Sequence, residues 1–261
     1  MSVPKVTLVV DGVVATLTLD DQPKKNAMTE ALGDELLRAV DQVRSMSEVR
    51  AVVLTGAGDT FSAGGDLAML ERLRAVPFEE ARLHMRAFYA RYLSLLRIEV
   101  PTIAAVRGAA IGAGLCVAVA CDLCIVDEDA KLAFNFVGLG LHPGMGATHF
   151  LSRRIGPQRA AELLFSGRRF DGREAERLGI AVAALPAAAV LPRALALAAD
   201  IGRQAPLAVR DLKRSLAVDE DRLEAALDRE AECQARSYGS ADLGEGIAAA
   251  RERRPPRFSG A

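Results

Sequence analysis

Tryptophan is absent from the 261 residues, and aromatic side chains make up only 5%. A core with so little aromatic volume must be filled by Ala, Val and Leu, which suits helices packed closely on a sheet. Charge of one sign is lacking too, with 33 basic side chains against 34 acidic ones and a net charge of −1. A nucleic-acid surface needs a basic excess, so no nucleic-acid partner is expected. Long apolar runs are missing. The uncharged, largely apolar stretch Gly108 to Cys121 has only 14 residues, whereas a bilayer span needs about 20. The first apolar stretch, Val6 to Val10, is too short for a signal peptide and runs straight into Asp11-Gly12. No membrane partner is expected, and the expected location is cytoplasmic. The four cysteines, Cys116, Cys121, Cys124 and Cys233, then sit in a reducing compartment where disulfides rarely persist. Cys121 and Cys124 spell one C-x-x-C, but no second pair or nearby histidine completes a zinc site, so no metal is expected.

What is present is apolar bulk: hydrophobic residues reach 51% and charged ones 26%, enough for a large core and incompatible with disorder. The opening reads as a hairpin, Val6–Val10 and Val13–Asp20 about an Asp11-Gly12 turn. Thr29 is placed to cap a helix whose apolar positions Leu32, Leu36, Val40 and Val43 keep a helical period. Ala51–Thr55 reads as a buried strand. A helical stretch from Leu67 ends at Pro77, and another runs from Phe78 to about Arg97. The order then repeats: strand Thr102–Val106, helix Gly112–Ala120, strand Leu123–Val126. Alternation of this kind predicts an α/β fold with parallel pairing through crossover connections. Beyond Arg153 the reading is helical, at Gln158–Phe165, Arg173–Leu178, Val190–Arg203, Leu207–Val218 and Asp221–Tyr238. The division expected is 1–200 as the α/β core and 201–261 as a helical C-terminal part. The basic close, Arg251 to Arg257, reads as a solvated helix end complementing the dipole.

Two small-residue turns stand out, Phe61-Ser62-Ala63-Gly64-Gly65-Asp66-Leu67 and Gly108-Ala109-Ala110-Ile111-Gly112-Ala113-Gly114. Each places backbone N–H groups at the start of a helix, where they lack intrahelical partners and carry partial positive charge. Phosphate cradling would call for a P-loop or a G-x-G-x-x-G after the first strand, and neither is there. Ser62 lacks the preceding glycine of a nucleophile elbow. Two readings stay open for these turns: close helix–sheet packing, or one N–H from each forming an oxyanion hole for an acyl substrate.

With Asn26-Ala27-Met28, the FSAGGDL run at 61–67, Pro101 through Gly114 to Cys121-Asp122, Gly138-Leu139-Gly140 with Pro143-Gly144-Met145-Gly146, and the ending Arg253-Arg254-Pro255-Pro256-Arg257-Phe258, the chain resembles the crotonase (enoyl-CoA hydratase/isomerase) superfamily along its length. The resemblance implies a spiral of ββα turns, a C-terminal helical trimerisation region, and homotrimers or dimers of trimers. It implies an acyl-CoA thioester as ligand, with coenzyme A part of the substrate and no permanently bound cofactor. On the matched motifs, the oxyanion-hole donors would be the N–H groups of Gly65 and Ala113. Alanine stands where the family usually has glycine, and its methyl would narrow the approach. Lys24, Ala63, Asp66 and Leu67 would hold the nucleotide end of coenzyme A.

The two glutamates that relatives use to position water and move a proton fall on Cys116 and Phe136. Neither replaces a carboxylate, and each missing acid–base group typically forfeits about 10²–10⁴-fold in rate. The remaining candidates are His142, the best placed imidazole, the Cys116 thiol, and Asn135, with Gly112 and Phe136 shaping the pocket. His84 lies on a helix that would cover the acyl chain. Three functions are compatible with this set: an atypical hydratase or isomerase, a decarboxylase in which loss of CO₂ generates the enolate directly, and an acyl-CoA binding protein without turnover.

Overall fold

The computed structural model describes residues 4–216 and 220–260. β1 (Lys5–Asp11) and β2 (Val14–Asp20) form an antiparallel hairpin. Its turn is Gly12-Val13, one residue later than expected, because β2 enters its parallel register on the next strand with Val14 opposite Ala51. α1 (Glu30–Arg44) starts where foreseen, the Thr29 hydroxyl accepting the Leu32 N–H at 3.2 Å, and it buries Leu32, Leu36, Val40 and Val43.

Three successive turns then repeat one plan, a long strand, a short strand, and helix. The first is β3 (Ala51–Gly56), β4 (Thr60–Ser62), α2 (Leu67–Leu73) and α3 (Phe78–Tyr92). The second is β5 (Thr102–Val106), β6 (Ala109–Ile111) and α4 (Ala113–Ala120). The third is β7 (Leu123–Asp127), β8 (Lys131–Ala133), α5 (Ala147–Ile155) and α6 (Pro157–Ser166). β9 (Arg169–Phe170), α7 (Gly172–Leu178) and β10 (Ala183–Leu185) close the series. The long strands build one sheet in the order β1-β2-β3-β5-β7-β10, and the short ones a second, β4-β6-β8-β9. The result is the ββα spiral.

The short strands correct the sequence reading, which had only turns at 61–67 and 108–114. Strands of only three residues are too short to show an alternation, and their strand geometry comes from parallel pairing with neighbours distant in sequence. The helix read as Phe78 to Arg97 changes to a 3₁₀ turn at Leu93, and α5 was not foreseen.

α8 (Ala187–Gly202) lies on the outer face of the large sheet, where Val190, Ala194 and Ala198 meet Val53, Ile103, Ala105 and Ile125. Val52, Leu54, Ala104 and Val106 point to the main core on the other face. Burial on both faces explains why these strands read as continuous apolar runs. α9 (Pro206–Leu216) buries none of its residues. α10 (Glu220–Tyr238) packs along α3, and α11 (Ala241–Glu252) was missed by the sequence reading. The predicted helix end at Val218 lies outside the described residues. No helix among the described residues is long and apolar enough to cross a membrane.

Candidate active site

The ends of β4 and β6 meet at a cavity of about 210 Å³. Ser62 braces the first turn: its hydroxyl donates to the Asn26 carbonyl at 2.7 Å and accepts the Gly64 N–H at 3.2 Å. Gly64 has φ +88°, and a Cβ there would fall 2.5 Å from the Ile111 carbonyl oxygen, so only glycine lets the two turns touch. Met28 bridges to Gly65 in parallel fashion, its N–H donating to the Gly64 carbonyl at 2.8 Å, while the Asp66 N–H reaches the Met28 carbonyl at 3.4 Å. These bonds leave the Gly65 N–H outside the ladder. In the second turn Gly112, at φ +52° and ψ −122°, swings the chain so that α4 begins at Ala113. The Ala113 N–H therefore belongs to the first turn of a helix, where no intrahelical acceptor exists. Gly65 and Ala113 both line the cavity.

Ala63, Leu67, Gly112, Asn135 and Phe136 share that wall. Asn135 reaches over Gly112, its Oδ1 lying 3.3 Å from where a Cβ would stand. Lys24 and Asp66 sit beside the cavity rather than on its wall. They pair with each other at 3.6 Å, and the Asp66 carboxylate caps α2 by accepting the Met69 N–H at 2.8 Å.

Cys116 and His142 do not reach the wall. Cys116 is buried within α4, and burial pushes its thiol well above the ordinary range, with the nearby Glu230 charge adding to the shift. His142 holds Nδ1 at 2.6 Å from the Pro143 carbonyl oxygen, and desolvation lowers its pKa below the ordinary imidazole value. His84 faces Glu30 at 3.7 Å instead of the cavity. The C-x-x-C thiols are buried and pushed up to about 12 and about 11, chiefly by desolvation. Among the described residues no group of three or more His, Cys, Asp or Glu is arranged to hold a metal ion.

α10 brings polar groups that the sequence reading passed over. Tyr89 from α3 and Gln234 from α10 both line the cavity, and the Tyr89 hydroxyl donates to Gln234 Oε1 at 2.9 Å. Gln234 Nε2 in turn donates to the His142 carbonyl at 2.8 Å. One turn earlier, the fully buried Glu230 carboxylate accepts the N–H groups of Gly146 at 2.7 Å and Thr148 at 2.9 Å and the Thr148 hydroxyl at 2.6 Å. Desolvation outweighs these bonds and pushes its pKa up to about 7. Glu230, Gln234 and Tyr238 recur every four residues, a polar stripe on the inward face of a helix; that spacing was the available signal. The rest of the wall, including Met69, Leu70, Met85, Phe88, Leu139 and Leu141, is apolar.

The spiral of ββα turns brings two small-residue turns, each at the start of a helix, to one largely apolar cavity. Residues 10–261 match the family model described as Enoyl-CoA hydratase/isomerase. A Thermus thermophilus protein provisionally named an enoyl-CoA hydratase is 37% identical over 248 residues, 95% of this chain and 98% of its own. A Mycobacterium tuberculosis protein, provisionally named the enoyl-CoA hydratase EchA14, is 39% identical over 254 residues, again 95% and 98%. Among solved structures, EchA1_1 from Mycobacterium paratuberculosis superposes with a TM-score of 0.86 at 31% identity, covering the whole of both chains. OdaA of Pseudomonas aeruginosa gives 0.82 at 32% identity over 94% of this chain and 97% of its own. The chain belongs to the enoyl-CoA hydratase/isomerase family, and its fold is that of the crotonases.

Proposed function

We propose that this chain binds an acyl-CoA thioester and polarises its carbonyl between the N–H groups of Gly65 and Ala113, stabilising the enolate that forms when charge moves onto the thioester oxygen. The observation that carries the reading is that Gly65 and Ala113, from turns nearly fifty residues apart in sequence, line the same apolar cavity. The acyl chain would occupy the space bounded by Met69, Leu70, Met85 and Phe88. At about 210 Å³ that space suits a short acyl chain, since pockets for drug-sized ligands run from about 300 Å³ upward. Coenzyme A enters as part of the substrate. Lys24, more than half exposed and paired with Asp66, would meet its phosphates, next to Ala63 and Leu67.

The reaction class is hydratase or isomerase chemistry at reduced rate, because Cys116 and Phe136 stand at the two acid–base positions. Their replacement leaves no Asp, Glu, His, Lys or Arg on the cavity wall among the described residues. That same observation favours a second reading, acyl-CoA binding without turnover.

Two measurements separate these. Incubation in D₂O with enoyl-, 3-hydroxyacyl- and carboxylated acyl-CoAs, followed by mass spectrometry, reports added water, lost CO₂ or deuterium next to the thioester. Ala113→Pro removes the second N–H, and proline is tolerated at the first helical position. We expect turnover to fall about 10²–10³-fold in this variant, with its helical circular dichroism retained. Binding of acyl-CoA with no mass change in any species would establish the second reading instead.

We further propose self-association through α9. Ala208, Leu212 and Leu216 follow one another at four-residue spacing, and Leu212 and Leu216 are 58% and 67% exposed. Such a face calls for a partner.

A further inference from the structure

Gln234 and Tyr89 are each at most 2% exposed, yet both border the cavity. Their mutual bond leaves capacity unused. The Tyr89 hydroxyl spends its proton on Gln234 Oε1 and keeps acceptor lone pairs, while Gln234 Nε2 spends one N–H on the His142 carbonyl and keeps a second. A donor and an acceptor therefore stand side by side in a wall that is otherwise apolar on that side. Gly144 keeps them uncovered: a Cβ there would lie 2.5 Å from Tyr89 Oη and 2.6 Å from Gln234 Nε2. Tyr238, the other tyrosine of the wall, has its hydroxyl engaged by Met85 Sδ at 3.0 Å.

We propose that Tyr89 and Gln234 form a polar subsite for an uncharged O–H group on the acyl chain, the oxygen accepting from Gln234 Nε2 and the proton donated to Tyr89 Oη. The inference rests on the acyl-CoA reading above and names the substrate class within it, a hydroxylated acyl thioester. An O–H group satisfies both partners at once, whereas a carbonyl or ether oxygen has no proton for Tyr89. A carboxylate fits poorly. No cation borders the cavity among the described residues, and of the charges that Tyr89 feels the acid Glu230 outweighs the base Arg86. A buried anion without a partner is strongly disfavoured, so the pair also argues against a carboxylated substrate. Recognition by a buried donor and acceptor discriminates sharply, because an analogue lacking the hydroxyl leaves both unpaired.

The test is equilibrium binding of hexanoyl-CoA and of its 3-, 4- and 5-hydroxy derivatives to the intact protein, repeated with Tyr89→Phe, Gln234→Leu and Gly144→Ala. We expect the wild type to prefer at least one hydroxylated member by about tenfold or more, and each variant to lose that preference while still binding hexanoyl-CoA. The ratio is the readout, because general loosening of the fold weakens all four ligands alike. Equal affinity of the wild type for all four overturns the subsite and leaves the acyl-CoA reading intact. Unchanged preference in the three variants also overturns it. Failure of every ligand to bind overturns both.

Discussion

Asn26 holds three backbone groups at once. Its Oδ1 accepts the Asp21 N–H at 2.9 Å, and its amide donates to the carbonyls of Ala57 at 3.0 Å and Thr60 at 2.7 Å, from a fully buried position at φ +53°. Asparagine is among the few non-glycine residues that visit this left-handed region readily. Asn26→Ala would strand a buried donor and two acceptors, and at about 1–3 kcal/mol for each we expect a loss of at least 3 kcal/mol by urea denaturation. Glu230 makes a pH-dependent prediction. Because its folded-state pKa of about 7 lies above the ordinary carboxylate value, the folded protein keeps a proton that the unfolded chain has released. This group's contribution to stability therefore weakens as pH rises from about 4.5 to about 7, by roughly 3 kcal/mol in total. Stability curves at pH 5, 6, 7 and 8 should converge or cross between wild type and Glu230→Gln. Parallel curves would remove Glu230 as the cause. The Asn26 motif was visible in the sequence as a signature, but its reason, a buried left-handed residue tying three strangers together, was not.

At the level of elements, the hairpin, α1 and the long strands were legible, because each carries its own pattern: a turn between apolar runs, a capped helical period, a continuous Val and Ile run. β4, β6 and β8 carry none. They become strands by pairing with one another, and they are what aims Gly65 and Ala113 into one cavity. α4 was legible as a helix but not as buried on every side, which its residues are. Gly64 is the contact between the two turns. A methyl at this position meets both the φ of +88° and the Ile111 carbonyl at 2.5 Å, so Gly64→Ala should separate the turns. We expect a fall in melting temperature together with loss of acyl-CoA binding; a variant that binds normally would show that the two turns need not touch. The basic ending also resolves at this scale. Arg254 grips the Glu245 carboxylate at 2.6 and 2.9 Å, and Asp242 accepts the N–H groups of Ser259 and Gly260 at 2.7 and 3.0 Å. Of the cluster read as a solvated helix end, Arg251, Arg253 and Arg257 are exposed, while Arg254 is a strut holding the terminal segment to α11.

For the whole molecule, the lack of tryptophan and the low aromatic content prove to be a matter of distribution. Much of the buried aromatic volume gathers at α3, where Phe88, Tyr89 and Tyr92 sit, and at Tyr238 opposite them, so Ala, Val and Leu fill the spiral while rings shape the cavity. The exposed leucines of α9 carry the prediction at this scale. Light scattering should give three or six times the 27.7 kDa chain mass, and Leu212→Glu with Leu216→Glu should lower it. A wild type that runs at a single chain mass would leave that face without the partner proposed for it.

Composition, period and motif order were by themselves enough to determine an α/β chain, its early elements, its family and the two small-residue turns that border the cavity. Those are local properties, written in neighbouring residues. Tertiary structure alone decided that Cys116 and His142 stand off the cavity, that Glu230 is buried under the turn at 146–148, and that Tyr89 meets Gln234 across 145 residues. The physical reason is that a side chain's proton affinity and its spare hydrogen bonds depend on burial and on partners far away in the chain, and neither is encoded within the span of a single helix or strand.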